Sequence, residues 1–168
     1  MNATIDVTVE IVNASSTQST PAAADFQHWA QAALAALAGE AEAPLTTGAE
    51  LSIRLVDEAE SAELNSHYRH KQGATNILSF PGKIIPGTDI NLLGDLAICA
   101  PVVEREAAEQ HKSVQALWAH LTVHGVLHLS GFDHEQAAEA ARMEALEIQI
   151  LDTLGFDNPY HLDNTGNE

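Results

Sequence analysis

The chain has 168 residues, of which 45% are hydrophobic, so it is long and apolar enough to bury one continuous core. The formal net charge of −17 disfavours non-specific binding of nucleic acid, because Lys and Arg side chains supply most of that affinity by neutralising phosphates. The N-terminus lacks the pattern of a signal peptide, and no apolar run approaches the roughly 18 residues that indicate a membrane span. The single cysteine, Cys99, fits a reducing compartment. We therefore expect a cytoplasmic protein without a membrane partner.

Residues 1–160 are expected to form one domain, followed by a polar C-terminal tail at 161–168. Period-2 alternation and short apolar runs predict strands near 5–11, 51–55, 74–80 and 92–99. Helical spacing predicts helices over about 20–38, 57–68, 101–110, 114–130 and 135–154. Strands thus come early and helices late, which predicts an α+β or α/β domain with helices packed on a single sheet.

Three acidic residues within this pattern lead to two specific predictions. Asp57, followed three residues later by Glu60, resembles a capping box at the start of the second helix. Asp95 interrupts the apolar run of the fourth strand, where an unpaired carboxylate would be costly to bury. Two interpretations of Asp95 stay open: it accepts hydrogen bonds from a metal-binding histidine or from the backbone of Thr75 and Asn76, or it lies at the strand end or exposed on the strand.

The segment HGVLHLSGFDH, residues 124–134, predicts a metal site. His124 and His128 are four residues apart, so on a helix they share one face with Cβ atoms about 5–6 Å apart. Gly131 favours the end of that helix and a turn that returns His134 to the first two rings. Three imidazoles without a fourth protein ligand are typical of a catalytic zinc site with an open position for water. We expect one Zn²⁺ ion, although imidazole also suits nickel, copper and iron.

Gly125 separates this site from the peptidases whose spacing it shares. The three histidines and Gly131 reproduce the spacing of the HExxHxxGxxH pattern of zinc peptidases. In that pattern the residue after the first histidine is the Glu that acts as general base for the attacking water. Gly125 has no side chain, so the sequence predicts a metal hydrolase that lacks the peptidase base.

Three strings together resemble the YbeY family of bacterial metal-dependent endoribonucleases, also called rRNA maturation factors: HGVLHLSGFDH, LNSHYRHKQGATNILSFP and LLGDLAICAPVVEREAAEQ. The resemblance extends from about residue 50 to Tyr160 and implies a single α+β domain with a small mixed sheet. It implies that His124, His128 and His134 bind the metal. It also implies that Arg69 is the basic catalytic residue, because Arg69 matches the arginine of the family's YRxK motif. One departure is KQGATN at 71–76, where many members have an acidic residue and a proline.

The resemblance implies a zinc-dependent, single-strand-specific endoribonuclease in rRNA processing, namely maturation of the small-subunit rRNA 3′ end, and in ribosome quality control. Its implied partners are ribosomal RNA and the small ribosomal subunit with its assembly proteins. The net charge of −17 leaves Arg69, Lys71 and Lys83 as the side chains expected to meet phosphate. Binding of naked RNA is therefore expected to be weak and sensitive to salt, so that the small subunit supplies further affinity.

Two other functions stay open at this point. A non-enzymatic ribosome-assembly factor would use the metal to stabilise its fold, against which the open fourth ligand position argues. Another zinc hydrolase, peptidases included, would need a base that Gly125 does not provide. Whether water or another nucleophile attacks the phosphodiester is not decided by the sequence pattern.

Overall fold

The computed structural model of the chain describes residues 6–38, 48–82, 92–132 and 136–160. The strands are β1 (Asp6–Asn13), β2 (Gly48–Val56), β3 (Ile77–Pro81) and β4 (Leu92–Cys99). The helices are α1 (Ala23–Ala38), α2 (Glu58–Arg69), α3 (Ala100–Glu109), α4 (Val114–Leu129) and α5 (Ala137–Thr153). All the strands and helices predicted from the sequence are present, with bounds shifted by a few residues. No helix within the described residues is long and apolar enough to cross a membrane. The tail predicted at 161–168 lies outside the described residues.

The strands form one mixed sheet in the order β1-β2-β4-β3. β1, β2 and β4 run parallel, and β3 pairs with β4 in the antiparallel sense. The nearly continuous apolar run of β4 therefore belongs to an inner strand, as predicted. The prediction of an α+β domain with a small mixed sheet is confirmed.

The sheet buries one face far more completely than the other. In β2, Leu51, Ile53 and Leu55 are buried in the main core, while Glu50 and Arg54, which alternate with them, are exposed. This alternation follows from the period of two in a strand. Helices α1 and α4 supply most of the apolar side chains that meet the buried face.

Helix α4 is the central helix of the core. It contacts α1, α3 and α5 as well as β3 and β4, and Trp118, Val123 and Leu127 on it are buried. Its first turn is capped by Ser113, whose side chain accepts a hydrogen bond from the Ala116 amide at 3.0 Å. Side chains on the remaining, partly exposed face of α4 are thus presented from a rigid support.

The capping box predicted at the start of α2 is wrong. Asp57 occupies the N-cap position, but its side chain makes no capping hydrogen bond. Its carboxylate instead accepts hydrogen bonds from the hydroxyls of Ser15, at 2.6 Å, and Ser16, at 2.9 Å, which follow β1. These hydrogen bonds lower the pKa of Asp57. Glu60 pairs with Arg54 at 2.6 Å, so both carboxylates connect neighbouring elements rather than the helix to itself.

Candidate metal centre

Three histidines on α4, at positions 120, 124 and 128, form a row along the face that the core does not cover. Because an α-helix has 3.6 residues per turn, residues spaced by four lie on the same side. All three are partly exposed, in contrast to the buried residues of α4. The rings of His120 and His124 lie edge to face with centroids 6.3 Å apart. The predicted helical placement of His124 and His128 is therefore present in the structure.

A fully buried carboxylate on the neighbouring helix α5 lies behind this row. Glu147 has 0% of its side chain exposed, and its Oε2 lies 2.6 Å from Nδ1 of His124 and 3.4 Å from Nε2 of His120. Its Oε1 accepts a hydrogen bond from the Tyr160 hydroxyl. That hydroxyl also lies 3.3 Å from Nε2 of His120. We refer to His120, His124, Glu147 and Tyr160 as the Glu147 cluster.

The ionisation of Glu147 fixes how His124 is oriented. Burial by itself would raise the pKa of Glu147, but hydrogen bonds from His120, His124 and Tyr160 together outweigh it and lower the pKa to about 2. An ionised carboxylate only accepts hydrogen bonds, so Nδ1 of His124 must be the donor. In a neutral imidazole the other nitrogen, Nε2, then carries the lone pair that a metal requires. A carboxylate behind a histidine commonly orients a metal ligand in this way.

The described residues include one group of side chains that could hold a metal ion by proximity alone. Ligand atoms of His120, His124 and Glu147 all lie within 4.8 Å of one another. A metal between them would have to replace the hydrogen bond from Nδ1 of His124 to Oε2 of Glu147. The other oxygen of that carboxylate, Oε1, already accepts a hydrogen bond from Tyr160. Imidazole nitrogens and a carboxylate are donors that fit zinc and related ions.

The ligand set predicted from the sequence is only partly within the described residues. His124 and His128 lie one turn apart on α4, whereas His134 belongs to the segment 133–135, outside the described residues. Helix α4 gives way to a turn at Ser130, and Gly131 takes the positive φ of 107° predicted for this position. The three-histidine site with His134 therefore stays a prediction, with Glu147 as the partner of its first ligand.

Gly125 faces the sheet rather than the histidine row. A Cβ atom on this residue would lie 2.7 Å from Cδ2 of Leu96 on β4 and 3.0 Å from Cδ1 of Ile77 on β3. The glycine therefore allows α4 to approach the sheet closely. A glutamate at this position would enter the core, so the absence of the peptidase base follows from the packing of α4 as well as from the sequence.

Among the described residues, Asp95, Arg69 and Lys71 form no hydrogen bond or ion pair with the Glu147 cluster. Asp95 is exposed on β4, opposite Phe80 and Ser52 in the sheet register, so the interpretation as an exposed strand residue is the one observed. Arg69 is the last residue of α2 and is exposed, as is Lys71 shortly after it. Within the part of the chain that the structure describes, Arg69 forms no ion pair. Lys83 lies outside the described residues.

Sequence reasoning missed Glu147 and Tyr160. A signal for Glu147 existed, because it lies on the buried face of α5, four residues after Met143 and three before Ile150. A carboxylate on an apolar face is costly unless it is paired, and therefore indicates a partner across the interface. No pattern in the sequence indicates the position of Tyr160.

The fold and the site together define a small α+β protein with a candidate metal centre on its central helix. The profile of the family described as Endoribonuclease YbeY matches residues 10–155. A relative of that name from Nitrosococcus oceani is 52% identical over 158 residues, covering 93% of this chain and 98% of the relative. Another, from Methylococcus capsulatus, is 54% identical and covers 93% of this chain and 95% of the relative. The chain belongs to the YbeY family.

A solved structure supports the same fold. The solution structure of TM1509 from Thermotoga maritima is similar with a TM-score of 0.53. The match covers 92% of this chain and 99% of that one, at 19% sequence identity. At this identity the similarity concerns the arrangement of strands and helices alone.

Proposed function

We propose that this chain is a zinc-dependent endoribonuclease that cuts single-stranded RNA during ribosomal RNA processing. Its specific task would be maturation of the small-subunit rRNA 3′ end, together with ribosome quality control. Membership of a family whose members are named endoribonucleases supports the reaction, which is hydrolysis of a phosphodiester bond. The proposal goes beyond family membership in naming ribosomal RNA as the substrate and zinc as the metal.

The single observation that supports a catalytic metal is the hydrogen bond between Glu147 and Nδ1 of His124, at 2.6 Å. It leaves Nε2 of His124 as the nitrogen that is able to bind a metal, on the partly exposed side of α4. We propose His124, His128 and His134 as the ligands, with Glu147 holding the first of them. When bound, such an ion supplies Lewis-acid polarisation of the phosphodiester or activation of water.

Arg69 is proposed as the catalytic residue that binds the reacting phosphate. Displacement at phosphorus accumulates negative charge on the phosphoryl oxygens, and a guanidinium binds two of them in one plane. Arg69 is exposed at the end of α2, so its side chain is accessible to RNA. A Lys at this position would keep the charge but lose the paired hydrogen bonds.

We propose the partners from the resemblance to the family, and the charge of the chain supports them. A chain with a net charge of −17 repels RNA over most of its surface, so that affinity for free RNA is low and falls with salt. We propose that the small ribosomal subunit and its assembly proteins in the cytoplasm present the RNA end and supply the missing affinity by protein contacts.

The test is cleavage of a labelled single-stranded precursor of small-subunit rRNA, both free and bound to small subunits, by metal-loaded protein. His128→Ala removes a proposed ligand, and His28→Ala is the matched control because His28 is an exposed histidine on α1. We expect cleavage by the wild type and His28→Ala and a loss of at least a hundredfold in His128→Ala. Zinc bound per chain is measured on the same samples by mass spectrometry.

Equal cleavage by His128→Ala would contradict the proposal and indicate a contaminating nuclease. Absence of cleavage in all samples, on free RNA and on subunits, would also contradict it. That second result would favour an assembly factor in which the metal only stabilises the fold.

A further inference from the structure

Tyr68 is an exposed aromatic side chain held firmly in place. Tyr68 lies near the end of α2, and 58% of its surface is exposed to solvent. Its ring nevertheless packs edge to face against His67, with centroids 4.8 Å apart, and against Phe80 on β3, with centroids 5.0 Å apart. A ring fixed by two neighbours yet open to solvent loses little conformational freedom when a ligand packs on it.

The cations next to Tyr68 differ from the others because their side chains have no partner among the described residues. Among the described residues, neither Arg69 nor Lys71 forms an ion pair. The other described Lys and Arg side chains each have a partner within the chain: Arg54 with Glu60, Arg105 with Glu58, Lys112 with the Pro159 carbonyl, and Arg142 over the ring of Phe132. Residues 69–71 therefore hold the described cationic groups that are not already engaged by a partner within the chain.

The strand that supports Tyr68 adjoins the end of α4. A Cβ atom on Gly94 would lie 2.4 Å from the Phe80 carbonyl oxygen and 2.8 Å from Cδ2 of Leu129. Phe80 and Leu129 thus meet at the same point of β4. Leu129 directly follows His128 in the last turn of α4, so the ring that supports Tyr68 belongs to a strand packed against the end of the histidine helix.

The sheet register places Phe80 opposite Asp95, so the ring that supports Tyr68 and the Asp95 carboxylate lie on the same, open face of the sheet. Glu10, Glu50 and Asp95 line a cleft that extends across this face, and none of the described residues that line it is a Lys or Arg. Phosphates over that cleft would meet like charge, whereas residues 67–71, next to the edge strand β3, offer an aromatic ring with two cations beside it. Proteins bind single-stranded RNA with this combination, in which bases stack on aromatic rings and phosphates contact nearby cations.

We propose that Tyr68 is a stacking site for one base of the single-stranded RNA, with Lys71 and Arg69 contacting the adjoining phosphates. The inference rests on the proposed function, because it concerns the substrate of that same site. Stacking on an aromatic ring tolerates any base, so Tyr68 would contribute affinity and position without selecting a sequence. It would hold the nucleotide next to the one whose phosphate meets Arg69.

The test uses metal-loaded protein and short single-stranded RNAs that carry 2-aminopurine at successive positions, at low ionic strength. Fluorescence quenching on binding reports stacking, and a gel of the same samples reports cleavage. Tyr68→Ala removes the ring, Tyr68→Phe keeps it, and Val12→Ala is the control because Val12 is an exposed apolar residue on β1. Melting temperatures show whether each variant is folded.

We expect quenching at one position in the wild type, Tyr68→Phe and Val12→Ala. In Tyr68→Ala we expect that quenching to disappear, with binding weakened by about tenfold. The same quenching and affinity in Tyr68→Ala would overturn the inference, while continued cleavage by that variant would leave the proposed function intact. Equal losses in Tyr68→Phe and Tyr68→Ala would also overturn it, because they would indicate a hydroxyl contact instead of stacking. No binding and no cleavage by the wild type would overturn both.

Discussion

Glu147 Oε2 lies 2.6 Å from Nδ1 of His124, and the carboxylate is fully buried between α4 and α5. Its pKa of about 2 keeps it ionised at neutral pH. The negative charge makes the His124 ring a better electron donor at its other nitrogen and fixes the ring in one orientation. Glu147 thus acts through His124 and is a positioning residue, not a ligand, in the proposed site.

Glu147→Gln is predicted to weaken zinc binding by about 10–100-fold, because it removes the charge that supports His124. Competition with a chromophoric chelator measures this affinity without reference to activity. Glu144→Gln is the matched control, since Glu144 is an exposed glutamate on the same helix. If the metal instead lay between His120, His124 and Glu147, the loss would be much larger, and His128→Ala would leave binding unchanged.

Whether the sequence predicts a contact in this site depends on how far apart along the chain the two residues lie. His124 and His128 are brought together by one turn of helix, so their spacing alone predicts their common face. The pair His124 and Glu147 is separated by 23 residues, and Tyr160 lies 13 residues beyond Glu147. Such pairs depend on how helices pack, which periodicity does not determine.

The wrong prediction at Asp57 has a similar cause. The pattern of Asp57 and Glu60 fits a local capping box, yet both side chains bind partners on other elements. Ser15 and Ser16 offer hydroxyl donors from the end of β1, and Arg54 offers a charged group on β2. The carboxylates would form charge-assisted hydrogen bonds in either arrangement, so the choice depends on which donors the packed elements bring close, and the local pattern does not contain that information.

Tyr160→Phe is predicted to lower the free energy of unfolding by about 1–2 kcal/mol, because it removes the hydroxyl that donates to the buried Glu147. Zinc affinity should fall by less than in Glu147→Gln, since the contact to Nδ1 of His124 is kept. Urea denaturation and the chelator assay measure the two effects. Tyr68→Phe removes an exposed hydroxyl and should change neither, and a Tyr160→Phe protein as stable as wild type would contradict the prediction.

Cys99 is predicted to resist thiol reagents until the protein unfolds. The residue has 0% of its surface exposed, and burial raises the pKa of its thiol, with smaller opposing and reinforcing contributions from its neighbours. Both effects lower the amount of accessible thiolate, which is the reactive form. The rate of modification by a chromogenic disulfide should therefore rise with urea in parallel with unfolding. Rapid, complete modification in native buffer would show that this part of the core opens readily.

Gly125→Ala is predicted to destabilise the fold by about 1–2 kcal/mol, although alanine is intrinsically the better helix former by about 1 kcal/mol. The added methyl would lie 2.7 Å and 2.8 Å from the two Cδ atoms of Leu96, which is too close without movement of α4 or of that side chain. Urea denaturation measures the change, and Leu96→Ala provides the matched background because it removes the two closest atoms and leaves Cδ1 of Ile77 at 3.0 Å. In that background Gly125→Ala should destabilise less, because the helix preference of alanine then opposes a weaker conflict. A stabilising Gly125→Ala in the otherwise wild-type protein would show that the glycine is not needed for the approach of α4 to the sheet, and the packing reason for the missing peptidase base would fail with it.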